Sequence, residues 1–238
     1  MNIVIIGAGR AGLSFDSALR AAGHHVSVRH HSDLGDELDS DIVLLCVPDD
    51  AIELVAQNLQ VSSQTVVAHC AGSRTLSVLE PHARVGSLHP LVALTSAEVG
   101  AHRLVGATYC VSGDEILEEL VSSLNGRVFT LSDANRAAYH ATACVAANHL
   151  VVLMSHVAQL AHNAGLSLTD FMGLAHNALD DVVSCGPAAA LTGPASRGDL
   201  STIDAHLAAI PESERQLYVA LANRALALAE QTSPAQSV

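Results

Sequence analysis

Apolar positions fall in two regimes along the chain. In the first half they form short β-branched runs separated by helical stretches; in the second they recur at helical spacing with no strand-like run. Asn2 to Ile6 predicts a strand, closed by Gly7-Ala8-Gly9-Arg10-Ala11-Gly12, then a helix to Ala22 with Gly23 as its stop. His25 to Arg29 alternates as a second strand. Asp41 to Val47 predicts a third, stopped by Pro48 and followed by a helix over Ala51 to Leu59. Thr65 to His69, Arg84 to Leu88, Thr108 to Val111 and Arg127 to Leu131 complete the strands, with a helical turn at Leu76 to Leu79 and a helix over Asp114 to Leu124. Alternating strands and helices imply an α/β fold with a parallel sheet wound by right-handed crossovers.

The pattern changes at Ser132. Asp133 to Asn163 keeps helical periodicity until Gly165, Ser167 and Asp170 resemble a capping box, and two more helices are expected after Gly198 and Pro211. This gives a Rossmann-type domain over 1–131 and an all-α domain over 132–238, expected to bind substrate and to dimerise. The long helix is apolar around most of its circumference, so it is expected to be buried on several sides, in its own domain or against a second copy. A homodimer through the helical half is expected.

Composition narrows the function. Half of the 238 residues are hydrophobic but only 3% are aromatic, and Trp is absent, so Ala, Leu and Val must fill the core. All eleven basic residues are Arg; with no Lys, a lysine base or Schiff base is excluded. A net charge of −13 opposes nucleic-acid binding. The five cysteines are scattered without a CxxC pair and read as reduced, mostly buried thiols. Fourteen histidines invite a metal, but no HxxxH or HExxH spacing occurs and none is expected. No leader is expected, and the apolar run Cys144 to Met154 is interrupted by Asn148 and His149, so no membrane span is expected and the setting is read as cytoplasmic.

The strongest motif is Gly7-x-Gly9-x-x-Gly12, directly after a strand and opening a helix. Gly7 permits the tight turn, Gly9 admits a pyrophosphate to the backbone, and Gly12 allows close helix packing, while Arg10 and Ala11 lie in the same loop. At the end of the second strand, where an acidic residue would hold a ribose 2′-OH, the chain carries Arg29, His30, His31 and Ser32. Those donors suit a 2′-phosphate, although a solvated Arg29 is the plain alternative, and NADP(H) is the expected cofactor. Cys46, Val47 and Pro48 end the third strand at the edge where such ligands sit.

Candidate reactive groups come from Ser73 after the fourth strand, His89 of His89-Pro90 at the end of the fifth, and Arg136, His140 and Asn148 on the long helix. At about 100° per residue these last three share roughly a third of the circumference. His89 is a candidate proton donor or a strand-end cap. His140 and Asn148 serve catalysis or bond across a subunit interface, and Arg197 either holds a substrate carboxylate or braces a helix junction with Asp199.

Gly7-x-Gly9-x-x-Gly12, Val47-Pro48-Asp49, Gly86-Ser87-Leu88-His89-Pro90, Tyr139-His140-Ala141 through Asn148-His149-Leu150, and Ala190-Leu191-Thr192-Gly193-Pro194 with Arg197-Gly198-Asp199 together resemble one bacterial family. It is the group of Rossmann-like candidate NADP oxidoreductases with a C-terminal domain of unknown function. The resemblance covers nearly the whole chain and implies two domains and an oligomer built on the helical one, with no substrate. More distantly the layout is similar to ketopantoate and pyrroline-carboxylate reductases, prephenate dehydrogenases and β-hydroxyacid dehydrogenases. That similarity implies Ser73 and His89 in the positions of a prephenate dehydrogenase Ser and His, and Asn148 in that of the helix Asn of β-hydroxyacid dehydrogenases. The Lys that those enzymes place four residues earlier is Cys144 here, leaving His89, His140 or Tyr139 as the acid.

The sequence thus points to an NADP(H)-dependent oxidoreductase of a small, anionic keto or imino acid. Gly7, Gly9 and Gly12 would hold the pyrophosphate, and Ser73, Asn148, Arg136 and Arg197 the substrate side. A nucleotide-binding sensor without turnover is the main alternative, and a structural dimer with a vestigial pocket is the third.

Overall fold

The computed structural model describes residues 1–30 and 38–231; Ser32, expected at the cofactor, lies outside the described residues. The chain divides into two compact units, Met1–Ala147 and Asn148–Val238.

The first unit is a seven-stranded sheet in the order β2-β1-β3-β4-β5-β6-β7. Its strands are β1 (Asn2–Ile6), β2 (His25–Arg29), β3 (Ile42–Leu45), β4 (Val66–His69), β5 (Val85–Pro90), β6 (Thr108–Gly113) and β7 (Arg127–Phe129). Around them lie α1 (Arg10–Ala21), α2 (Ile52–Gln57), α3 (Ala97–Leu104) and α4 (Ile116–Ser123). The continuous apolar runs of β1, β3 and β4 follow from burial on both faces, as expected of strands covered by helices. Successive side chains alternate: Ile3 and Ile5 pack with Phe15, Leu19, Leu117 and Leu120, whereas Val4 and Ile6 pack with Ile52, Val55 and Leu79.

Two features depart from the expected winding. Helix α3 was not foreseen; it packs on α1, where Gly100 lets it approach Ser14. Strand β6 runs antiparallel to β5 rather than parallel. The reason lies in the connection, which leaves from Pro90 and returns at Tyr109, register partners at the same end, with the Leu91 amide donating to the Thr108 carbonyl at 2.8 Å. A segment that starts and finishes at one edge does not traverse the sheet, so the next strand must run back.

The last strand ends at Phe129, yet α5 (Arg136–Cys144) belongs to the same compact unit because its side chains reach into β5. Residues 133–163 form one continuous helix, containing α5, a π turn at Val145–His149 and α6 (Leu150–Asn163). Asn148 lies within this π turn, where the 3.6-residue phase is interrupted. By length and composition this helix would suffice to cross a bilayer, with a mean hydropathy of 1.5 over its most apolar 18 residues. It is the one such helix among the described residues.

The second unit is helical: α6, α7 (Thr169–Cys185), the short α8 (Pro187–Ala190) and α9 (Gly193–Ser196), α10 (Leu200–Ala209) and α11 (Glu212–Glu230). The Ser167 amide donates to Asp170 Oδ2 at 2.8 Å, the expected capping interaction, and Asp199 caps α10 through the Thr202 amide at 3.1 Å. Within the unit His156 Nδ1 lies 2.5 Å from Glu214. Its core is thin. Only His156, Ala161 and Ile203 are buried among its described residues, while Val183 is 87% and Leu174 70% exposed.

Candidate functional site

In the order β2-β1-β3-β4-β5 the direction of winding reverses between β1 and β3, which opens a crevice at the carboxyl ends of those strands. The glycine loop fills one side of it. Gly7 has a φ of +113°, and a Cβ there would lie 2.5 Å from the Cys46 carbonyl oxygen. Gly12 packs so closely that a Cβ would stand 1.9 Å from the Gly7 carbonyl, whereas Gly9 faces open space. Two glycines therefore serve packing and the third leaves the backbone accessible, the arrangement a pyrophosphate needs. Helix α1 starts immediately after Gly9, which makes no side-chain cap, so the amides of its first turn face the crevice without a side-chain acceptor. On the other side of the loop, the Gly7 amide donates to the Arg29 carbonyl at 2.9 Å. That bond sets Arg29, half-buried, beside the loop; His30 follows it in sequence and Arg10 opens α1, both exposed. Cys46, Val47 and Pro48 line the β3 side, where the sequence placed them.

A second group of residues gathers at the carboxyl ends of β4 and β5. Ser73 donates to Asp49 at 3.1 Å and so ties the loop after β4 to the loop after β3. His89 Nδ1 lies 2.5 Å from the Tyr139 hydroxyl of α5. The rings of His89 and His140 stand 6.0 Å apart, and both press on Gly72: a Cβ there would be 2.7 Å from His140 Nδ1 and 2.9 Å from His89 Nε2. His140 Nδ1 is buried without a partner, and its Nε2 lies 3.6 Å from Cys144 Sγ. His69, fully buried, accepts the Ala71 amide at Nδ1 (3.2 Å) and turns Nε2 to the Thr75 carbonyl (3.4 Å).

Burial keeps His89 and His69 neutral near pH 7. Burial pulls His89 down to about 4, with the His140 and Arg136 charges adding to it and Asp49 opposing. Burial likewise lowers His69 to about 4. Burial raises the Tyr139 phenol above its ordinary value, so it stays protonated. The pair therefore fits a phenol donating to His89 Nδ1, which leaves the ring hydrogen on Nε2 toward Gly72.

Arg136, expected to meet substrate, is instead 1% exposed. Its Nε lies 2.9 Å from Asp133 and its Nη2 2.6 Å from the Ser87 hydroxyl, and Nη1 has no partner. It fastens α5 to β5 from within the unit. Asn148 and Arg197 belong to the helical unit and are both exposed; Asp199 gives its carboxylate to Ser201 and Thr202. Sequence reasoning missed His69, Gly72 and Asp49 as members of the group. The signal was the equivalence of Leu45-Cys46 and His69-Cys70, which end neighbouring strands in the same register.

The family model described as "Domain of unknown function (DUF2520)" matches residues 105–225, just over half of the 238 residues. The chain belongs to that family. The DUF2520 segment contributes Tyr139, His140 and Arg136, whereas the glycine loop and His89 precede it. No curated protein matches the chain in sequence. Among solved structures, a candidate NADP oxidoreductase from Bacteroides fragilis is 21% identical with a TM-score of 0.81, over 95% of this chain and 98% of that one. The protein TM1727 from Thermotoga maritima is 19% identical with a TM-score of 0.75, over 98% and 100%. A reductive aminase from Aspergillus terreus, in complex with NADPH and ethyl-5-oxohexanoate, is 16% identical with a TM-score of 0.65, over 97% and 98%. These likenesses establish a Rossmann-like fold followed by a helical region across the whole DUF2520 chain.

Proposed function

We propose that this chain is an NADP(H)-dependent oxidoreductase acting on a small, anionic keto or imino acid. The observation that carries the reading is the placement of the glycine loop at the β1/β3 crevice, with His89, Tyr139 and His140 gathered at the carboxyl edge of the same sheet. Gly7, Gly9 and the start of α1 would hold the pyrophosphate, and Arg29, with His30 and Arg10, the 2′-phosphate. Arg29 fits this role because its carbonyl already anchors the loop. The description of the Bacteroides protein and the NADPH in the Aspergillus complex lend the cofactor support.

A bound nicotinamide supplies or takes up the hydride. The chain's part is to place the substrate and manage one proton. His89 presents Nε2 toward Gly72 and is backed by the Tyr139 phenol; His140, with its free Nδ1, is the second candidate donor. Ser73 would orient the substrate, while Arg136 acts by holding α5.

We further read the chain as a cytoplasmic homodimer. The exposed Val151, Val152, Leu174, Val182 and Val183 of α6 and α7 are the surface a second copy would cover, and that cover also accounts for the apolar character of helix 133–163. A net charge of −13 leaves nucleic acid an unsuitable partner.

The test is a calorimetric titration with NADPH and NADH. NADPH binding that is lost in Arg29→Ala, with NADH weak throughout, supports the reading and leads to a screen of keto and imino acids. Absence of binding by either nucleotide overturns it. A second reading, a nucleotide-binding sensor without turnover, draws on the missing Lys and the neutral His89. It is selected if NADPH binds but no acid in the screen consumes it and His89→Ala changes nothing.

A further inference from the structure

Two cysteines end neighbouring parallel strands, each one residue beyond the register pair Leu45–His69: Cys46 after β3 and Cys70 after β4. Their sulfurs lie 3.8 Å apart and both thiols are free. Adjacent strands are about 4.8 Å apart, and disulfides bridge Cα separations of roughly 4.4–6.8 Å, so the pair lies within reach of a disulfide. Cys70 is partly exposed, whereas Cys46 is 8% exposed beneath it. The Cys46 carbonyl is the atom against which Gly7 packs.

We infer that Cys46 and Cys70 form a peroxide-oxidisable dithiol whose disulfide state weakens the nucleotide site. The consequence for binding rests on the NADP(H) reading above; the sulfur chemistry does not. The accessible Cys70 reacts first. Its thiolate attacks hydrogen peroxide, the O–O bond breaks, one oxygen remains on sulfur as a sulfenic acid, and the other leaves as hydroxide that takes up the Cys70 proton. The Cys46 sulfur then attacks the sulfenic sulfur; the S–S bond forms, the S–O bond breaks, and the oxygen departs with the Cys46 proton as a second water. Two thiols and one peroxide become one disulfide and two waters, with two electrons passing from sulfur to peroxide.

The roles follow from the surroundings. The hydrogen bond between the two thiols holds Cys70 below the ordinary thiol range, against burial and the Asp49 charge, while the same bond and burial push Cys46 up. Closing the sulfur pair draws Cys46 toward β4, and its carbonyl lies directly under the Gly7 turn. A small shift there reaches the pyrophosphate cradle.

The experiment treats the full chain with hydrogen peroxide and follows intact mass, peptide linkage and NADPH affinity. The expected result is the loss of two hydrogen atoms, a 46–70 cross-linked peptide, and NADPH affinity lowered by about tenfold; dithiothreitol restores both mass and affinity. In Cys70→Ser, and in Cys70→Ala should the serine variant fold poorly, the link is absent and peroxide leaves NADPH affinity where it was before treatment. Accumulation of sulfinic acid on Cys70 without a link overturns the inference, as does a link that leaves NADPH affinity unchanged. A link in protein that binds no NADPH when reduced supports the dithiol and overturns the nucleotide reading instead.

Discussion

His89 and Tyr139, one on the fifth strand and the other on the helix that follows the sheet, meet at 2.5 Å between imidazole Nδ1 and phenol oxygen. The contact fixes the ring's orientation and the nitrogen that carries its hydrogen. Tyr139→Phe removes that anchor without removing the ring of residue 139, which also packs edge-on against Phe129. Turnover is expected to fall about a hundredfold, with KM and the NADPH dissociation constant nearly unchanged. Steady-state kinetics beside a binding titration check this, and an equal loss in both would mean that the phenol serves the fold instead.

Gly72 offers a sharper probe of the same group. The three atoms nearest a Cβ at that position all belong to the imidazoles of His89 and His140. Gly72→Ala is therefore expected to displace both rings and abolish turnover while the melting temperature stays within a few degrees of the wild type. Gly12→Ala contrasts with it. There the Cβ meets the Gly7 backbone at 1.9 Å, so stability is expected to drop by about 1–3 kcal/mol and nucleotide binding to go with it. Thermal melts of the two variants separate the cases.

Much of this arrangement was legible from local pattern. The strand ends, the glycine loop, Arg29 beside it and His89 at a carboxyl edge follow from short-range signals, because a parallel strand buried on both faces writes itself as an apolar run. What was not legible depends on register between distant segments. Arg136 looked like a substrate ligand, since a charged residue on an apolar helix suggests a polar cleft; its burial is decided by Ser87, far away in sequence, and by Asp133. The antiparallel β6 follows from a connection that returns at its own starting edge, and the π turn at Val145–His149 leaves no mark in composition.

Arg136 also yields a prediction about stability. Truncation to Ala removes a buried guanidinium, leaves the Ser87 hydroxyl buried without its partner and opens a cavity, at an expected cost of about 3–5 kcal/mol. Arg136→Met keeps most of the volume and removes the unpartnered Nη1, so its cost is expected to be much smaller. Urea denaturation of both variants checks the order, and an equal loss would show that the charge itself is what holds α5.

His69 sets a pH dependence whose sign can be worked out. Its folded value is lowered to about 4 by burial, against about 6.5 in the unfolded chain. Between those values the unfolded state binds the proton and the folded state does not, so stability is complete above pH 6.5 and is lost as pH falls toward 4. For this fully buried ring the loss is about 3 kcal/mol, and His89 adds in the same direction. Unfolding midpoints measured from pH 7 to 4 should fall, and His69→Asn, which keeps an acceptor for the Ala71 amide, should flatten the slope.

The helical unit poses the last question, because it is folded around so little. With three buried residues among those described, and Leu174, Val182 and Val183 exposed along α7, the unit leaves apolar area in water that an isolated domain would not tolerate. A second copy is the cover we propose, and it makes stability depend on concentration. Wild-type protein is then expected to sediment as a dimer and to melt at a higher temperature as its concentration rises. Val183→Asp with Leu174→Asp should give a monomer with a lower melting temperature and a far-ultraviolet signal reduced in helix. If the wild type is monomeric and its melting temperature is independent of concentration, the apolar face has a different partner and the dimer is wrong.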